Sequence, residues 1–140
     1  MPKQDDAHLI LKLYDLRREV VMRQARTWFG RDFQPKTLQD VQAALNGEHG
    51  VYLRQITSYW DMAAALVLHG AIDAPLFHDT VGEHIFVYAK LAPYLEGLRK
   101  DYPRFLANVE KVVLATPGHE QHIQSIQARL AAMAKAAPQR

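Results

Sequence analysis

The chain has 140 residues, 49% of them hydrophobic and 23% charged, a length and balance that suit one soluble domain over residues 1–140 with its own core. Cysteine is absent, which excludes a disulfide framework, a thiolate nucleophile, an iron–sulfur cluster and a Cys-type zinc site. The 17 basic and 15 acidic side chains leave a net charge of +2, less than a strongly nucleic-acid-binding domain usually carries.

The opening MPKQDDAHLI places two aspartates before its first apolar run, a poor secretory signal. The first helical segment is expected from about Asp6 to Phe29. Leu9, Ile10, Leu13, Leu16, Val20, Val21 and Trp28 follow the three-and-four spacing of one face, and Gly30 is a plausible stop. A short second segment, Leu38 to Leu45, starts at Thr37 as N-cap with Asp40 three residues on, and ends at Asn46-Gly47.

The third segment runs from about Val51 to His69. One stripe is Leu53, Ile56, Trp60, Ala63, Ala64 and Val67, and a second is Tyr52, Tyr59, Met62 and Leu66. A helix apolar on most of its circumference is expected to be central. Gly70 closes it, with Ile72 folding back, and Asp73 caps a fourth segment that has Pro75 in its first turn. That fourth helix spans roughly Ala74 to Leu91, and Pro93 kinks or restarts it through Lys100. The fifth begins near Pro103. Thr116-Pro117 reads as cap and first turn of the sixth, whose inner stripe is Ile123, Ile126, Leu130 and Met133.

No window alternates apolar and polar residues over the length of a strand. The expected fold is therefore all-α: a single irregular bundle of about six helices, with the third and fourth central and a loose tail at about residues 136–140. The longest stretch free of charged residues, Met62 to Ile72, is 11 residues, against the ~20 apolar residues that a membrane-spanning helix needs. A cytoplasmic protein without membrane contact is expected.

Three constellations carry possible chemistry. His119 and His122 share a helix face, but no Glu-x-x-His motif accompanies them. A solvated helix start is the expectation there, with no metal and no cofactor. Arg54, Ser58, Asp61, Ala65 and His69 form a polar stripe on the otherwise apolar third segment, which either meets water or lines a pocket. Asp79 and Glu83, one turn apart on the fourth segment, have the spacing of paired acid–base carboxylates, but with Lys90 seven residues further along that spacing also describes an exposed face, which is the expectation, while His84 beside them points toward Ile85 and Val81 as a packed, hydrogen-bonded core histidine. Catalytic signatures such as a phosphate loop or a Gly-x-Ser-x-Gly elbow are absent from the sequence.

Charge is segregated along the chain. Residues 1–36 carry eight basic and five acidic side chains, or +3; residues 37–98 carry two and seven, or −5; residues 99–140 carry seven and three, or +4. Arg17, Arg18, Arg23, Arg26 and Arg31 lie on or just after the first segment, where nucleic acid would find phosphate contacts. Glu19 four before Arg23 and Asp15 three before Arg18 read instead as helix-surface pairs.

Between Thr57 and Val113 the residues Tyr59-Trp60, Gly70-Ala71-Ile72-Asp73, Leu76-Phe77, Phe86-Val87-Tyr88, Pro93 and Arg99 make a pattern. This stretch resembles an uncharacterised family of small bacterial all-helical proteins, a domain of unknown function. The resemblance implies an all-helical fold and carries over no catalytic residue.

The leading expectation is a non-enzymatic helical protein that acts through protein contacts, as a homodimer or with another partner, using Tyr52, Tyr59 and Trp60, since aromatics are enriched at interfaces. The alternative is a small-ligand or metal-binding bundle, conceivably an enzyme, with Arg54, Ser58, Asp61, His69, Glu83 and His84 converging between the third and fourth helices. A third reading, nucleic-acid binding through the Arg-rich first helix, is the weakest.

Overall fold

Helix caps divide the chain more finely than its hydrophobic periodicity does. The structure, a computed structural model, describes residues 3–136. Among these the regular backbone is helical, with no strand: α1 (Lys3–Arg17), α2 (Val20–Thr27), a π-helical turn (Trp28–Asp32), α3 (Leu38–Asn46), α4 (Gly50–Leu68), α5 (Ala74–Thr80), α6 (Glu83–Leu91), a 3-10 turn (Ala92–Tyr94), α7 (Leu95–Asp101), α8 (Ala107–Leu114) and α9 (His119–Ala136). Of the expected loose tail, Ala136 still belongs to α9, and residues 137–140, with Pro138, lie outside the described residues.

The all-α expectation is met, but six helices is an undercount, and each extra break has a local cause. The first segment divides because Glu19 leaves the helix and turns its carboxylate onto the amides of Val21 and Met22, at 3.1 and 2.9 Å, capping α2. Gly30 is not a stop. It sits inside the π-turn, where the Phe33 amide reaches the Trp28 carbonyl at 2.9 Å. The fourth segment divides at Val81, which is extended, and Gly82. The fifth starts at Ala107 rather than near Pro103, because Leu106 takes a left-handed conformation with φ 52°. The sixth starts at His119 after left-handed Gly118, while the Thr116 hydroxyl turns back to the Val112 carbonyl at 2.8 Å.

Other local signals hold in the structure. Thr37 and Asp40 form a reciprocal capping box. Asp73 accepts from the Leu76 amide at 3.0 Å and caps α5. Gly70 is left-handed at φ 79°, and buried Ile72 folds back to the Leu66 carbonyl.

The third predicted segment, α4, is central. It packs against α2, α3, α5 and α8. Its Leu53, Ile56, Trp60, Ala63 and Ala64 are at most 1% exposed, and burying each large aliphatic side chain stabilises by roughly 1.5–3 kcal/mol. α6 packs against α8 and α9. α1 is fixed at two points. Asp6 accepts from the Asp73 amide at 2.9 Å, and the Tyr59 hydroxyl donates to the Leu13 carbonyl. Among the described residues no helix is long and apolar enough to cross a membrane.

Candidate functional site

The polar stripe of α4 divides between a groove and open surface. Arg54, Ser58 and Asp61 line a groove of about 470 Å³ together with Leu45, Thr57, Tyr102, Arg104, Phe105 and Leu106. His69 of the same stripe lies at the exposed end of α4 and takes no part in it. The groove is built by polar ties between helices. Arg54 Nη1 donates to the Leu45 carbonyl at 2.9 Å and so closes the C-terminal end of α3. Gly50 allows this approach, because a Cβ there would run into that same carbonyl.

Asp61 does the corresponding work at α8. This helix has no side-chain cap of its own, since its N-cap position is the left-handed Leu106. Asp61 Oδ1 instead accepts from the amides of Asn108 and Val109, both at 3.0 Å, and Oδ2 accepts from Asn108 Nδ2 at 3.1 Å. A carboxylate at a helix N-terminus satisfies orphan amides and meets the positive end of the dipole. The 102–106 wall is braced from behind. Arg99 donates to the Phe105 carbonyl at 3.0 Å and pairs with Glu110 at 3.0 Å. The Tyr88 hydroxyl donates to Glu110 at 2.9 Å. Burial, and then that bond, push the Tyr88 phenol up to about 12.

Glu83 and His84, expected to join the stripe, lie elsewhere. Glu83 accepts from the Arg26 Nε–H at both oxygens, 3.0 and 2.8 Å, pairs through Oε2 with Arg26 Nη2 at 2.7 Å, and accepts from the Trp60 indole N–H at 3.0 Å. It ties α2, α4 and α6 together. His84 is 0% exposed, against Phe77 at 4.9 Å and Trp60 at 5.8 Å between ring centroids. It is packed as expected, but neither ring nitrogen has a hydrogen-bond partner among the described residues. Burial pushes its pKa down to about 4.

The exposed face expected for Asp79, Glu83 and Lys90 holds only for Asp79. The break at Gly82 rotates α6 relative to α5, so Glu83 turns inward and Lys90 is buried. Lys90 Nζ donates to the Phe29 carbonyl of the π-turn and faces the rings of Phe29, Phe86 and Phe33 at 4.8, 5.5 and 5.6 Å. Burial lowers its pKa to about 8. Sequence periodicity misplaced Lys90 because a lysine at helical spacing carries no mark of burial.

The candidate interface aromatics turn mostly inward. Trp60 is 0% exposed, and half-buried Tyr59 holds α1. Half-buried Tyr52 donates to Gln24 at 3.2 Å. The arginine cluster of the first segment is partly committed inside the molecule. Arg26 serves Glu83, and Arg17 lies over the rings of Tyr14 and Trp60 at 5.2 and 5.4 Å. His119 Nδ1 lies 2.9 Å from the Thr116 carbonyl, while His122 is exposed. Among the described residues no three or more His, Asp or Glu side chains are grouped so as to hold a metal ion.

The pattern noted from Thr57 to Val113 proves to be part of a longer match. A family model described as Domain of unknown function (DUF4760) matches residues 4–115. The chain belongs to that family. The matched residues include all of α1 but Lys3, and α2 through α8, and therefore every residue of the groove, whereas α9 lies beyond them. No curated protein and no solved structure matches the chain.

Proposed function

We propose that this family member is a binding domain rather than an enzyme, and that its α3–α4–α8 groove takes a small anionic molecule with an apolar body. One observation carries the reading: Arg54, Ser58 and Asp61 line one groove with Arg104, Tyr102 and Phe105. At about 470 Å³ the groove falls within the ~300–1,000 Å³ of small-molecule sites. Phe105, Leu45 and Leu106 supply the apolar wall, and two arginines supply charge for a carboxylate or similar anion. Asp61 is held by α8, which leaves it to shape the site rather than to act as a base.

The test is an NMR titration of the ¹⁵N-labelled protein with phenylacetate, with uncharged phenylacetamide as the comparison. Phenylacetate is expected to shift the amides of Ser58, Asp61 and residues 102–106 saturably, more strongly than phenylacetamide, and more weakly in Arg104→Ala. No shift in these amides up to roughly 10 mM, a free energy of binding weaker than about 3 kcal/mol, would rule the reading out.

A second reading, contact with a second copy of the chain, is favoured by a separate observation. Leu11 and Tyr14, three residues apart on one face of α1, are 64 and 55% exposed, and exposed apolar surface marks interaction sites. Light scattering across a concentration series is expected to show a dimer that Leu11→Glu dissociates. A monomer at all concentrations would refute it.

A further inference from the structure

The π-turn between α2 and α3 is held at a cost. π-helical turns are rare and concentrate at functional sites. This one is held by a buried lysine, since Lys90 reaches its Phe29 carbonyl from α6 and is only 5% exposed. Desolvating an ammonium is expensive, so a fold that keeps one there maintains the local backbone shape against a penalty. The turn delivers Trp28 and Asp32 to the wall of one cleft, of about 510 Å³, beside His49 and Tyr52 from the start of α4 and Arg23 and Gln24 from α2.

Three rings cluster in this cleft, Trp28, His49 and Tyr52, with Phe33 behind them. Phe33 stacks on Trp28 at 4.7 Å, and His49 stacks on Trp28 at 5.3 Å, each pair inclined by 23°. Tyr52 stacks against His49, 5.8 Å away and inclined by 26°, and also meets Trp28 at 6.2 Å, tilted by 48°. The inner rings are buried, Phe33 at 6% and Trp28 at 8% exposed. The outermost, His49, has 43% of its side chain in solvent. A planar ring laid on the exposed part of His49 extends this cluster and removes that surface from water. Around it stand an acceptor, Asp32, an amide, Gln24, whose oxygen is already taken by Tyr52, and a cation, Arg23. Stacking platforms with a flanking arginine hold bases and their phosphates without depending on base identity.

We propose that this cleft binds a mononucleotide, with the base stacked on His49 beside Tyr52, its amino edge toward Asp32, and its phosphate at Arg23. The site is separate from the α3–α4–α8 groove and does not depend on it.

The test follows the Trp28 indole N–H resonance, assigned by its loss in Trp28→Phe, in titrations of the full chain with adenosine 5′-monophosphate, adenosine and ribose 5-phosphate. The nucleotide and the nucleoside are expected to shift it saturably, and ribose 5-phosphate is not. His49→Ala is expected to weaken adenosine about tenfold, in line with loss of one base–aromatic stack. Tyr52→Leu, which leaves His49 in place, is expected to weaken it less. Arg23→Ala brings the nucleotide down to the affinity of the nucleoside, and Arg129→Ala, an exposed arginine on α9 away from the cleft, changes neither. No shift up to roughly 10 mM, equal binding of ribose 5-phosphate, or unchanged adenosine binding in a folded His49→Ala protein would each overturn the proposal.

Discussion

His84 and Lys90 place ionisable groups where water does not reach, and both make stability depend on pH. His84 has a folded pKa near 4, below its ordinary ~6.5. Between those values the unfolded chain binds the extra proton, so stability is present near neutrality and falls as pH drops from about 6.5 to 4. The full difference is on the order of 3 kcal/mol, at about 1.36 kcal/mol per decade. His84→Phe is expected to abolish that slope and to be the more stable protein at pH 5, since no hydrogen bond of the ring is lost. Urea titrations at pH 7 and pH 5 check this, and an unchanged slope would contradict the burial argument.

Lys90 behaves in the same sense at higher pH. Its folded pKa near 8 lies below the ordinary ~10.4, so stability rises as pH climbs from about 8 toward 10. Above pH 10 the half-buried Tyr59 and buried Tyr88 phenols, both raised to about 12, work the other way. Lys90→Met is expected to lose the rise between pH 8 and 9.5, read from the same titrations.

Between elements, the decisive ties are caps supplied from a distance. Glu19, Thr37 and Asp73 each cap the helix that follows them directly. Asp61 caps α8 from α4, and in doing so fixes the wall of the groove. Asp61→Ala is expected to cost about 1–3 kcal/mol, the range for hydrogen bonds to a charged group. It should also raise amide hydrogen exchange at Asn108 and Val109 more than at α3. Exchange that rises equally everywhere would mean that Asp61 supports the fold in general rather than the start of α8.

Across the whole molecule, α9 stands outside the family match yet completes the packing of α6. Ile126 is 2% exposed, Ile123 and Leu130 pack against the core, and Gln127 donates to the Ala89 carbonyl at 3.2 Å. Losing three aliphatic contacts of this kind is expected to cost roughly 3–6 kcal/mol, a large part of the ~5–15 kcal/mol that keeps a domain folded. A chain ending at Ala115 should melt far below the full chain, or lack a cooperative transition by circular dichroism. An unchanged melting temperature would show that α9 is dispensable to the core.

What the sequence alone determined are the properties that act within one or two helical turns: the all-helical class, the caps at Thr37 and Asp73, the left-handed Gly70, the central place of α4, and the grouping of Arg54, Ser58 and Asp61 on one face. Each depends on neighbours close along the chain, so spacing is enough to read it. Tertiary structure decided which of these residues work together. Asp61 meets Asn108 across 47 residues, Arg26 meets Glu83 across 57, and Lys90 meets Phe29 across 61. The break at Gly82 decided that Glu83 and His84 face Arg26, Trp60 and Phe77 instead of the stripe. A carboxylate or ammonium at helical spacing has the same local pattern whether water or another helix covers it, and only the stacking of helices says which.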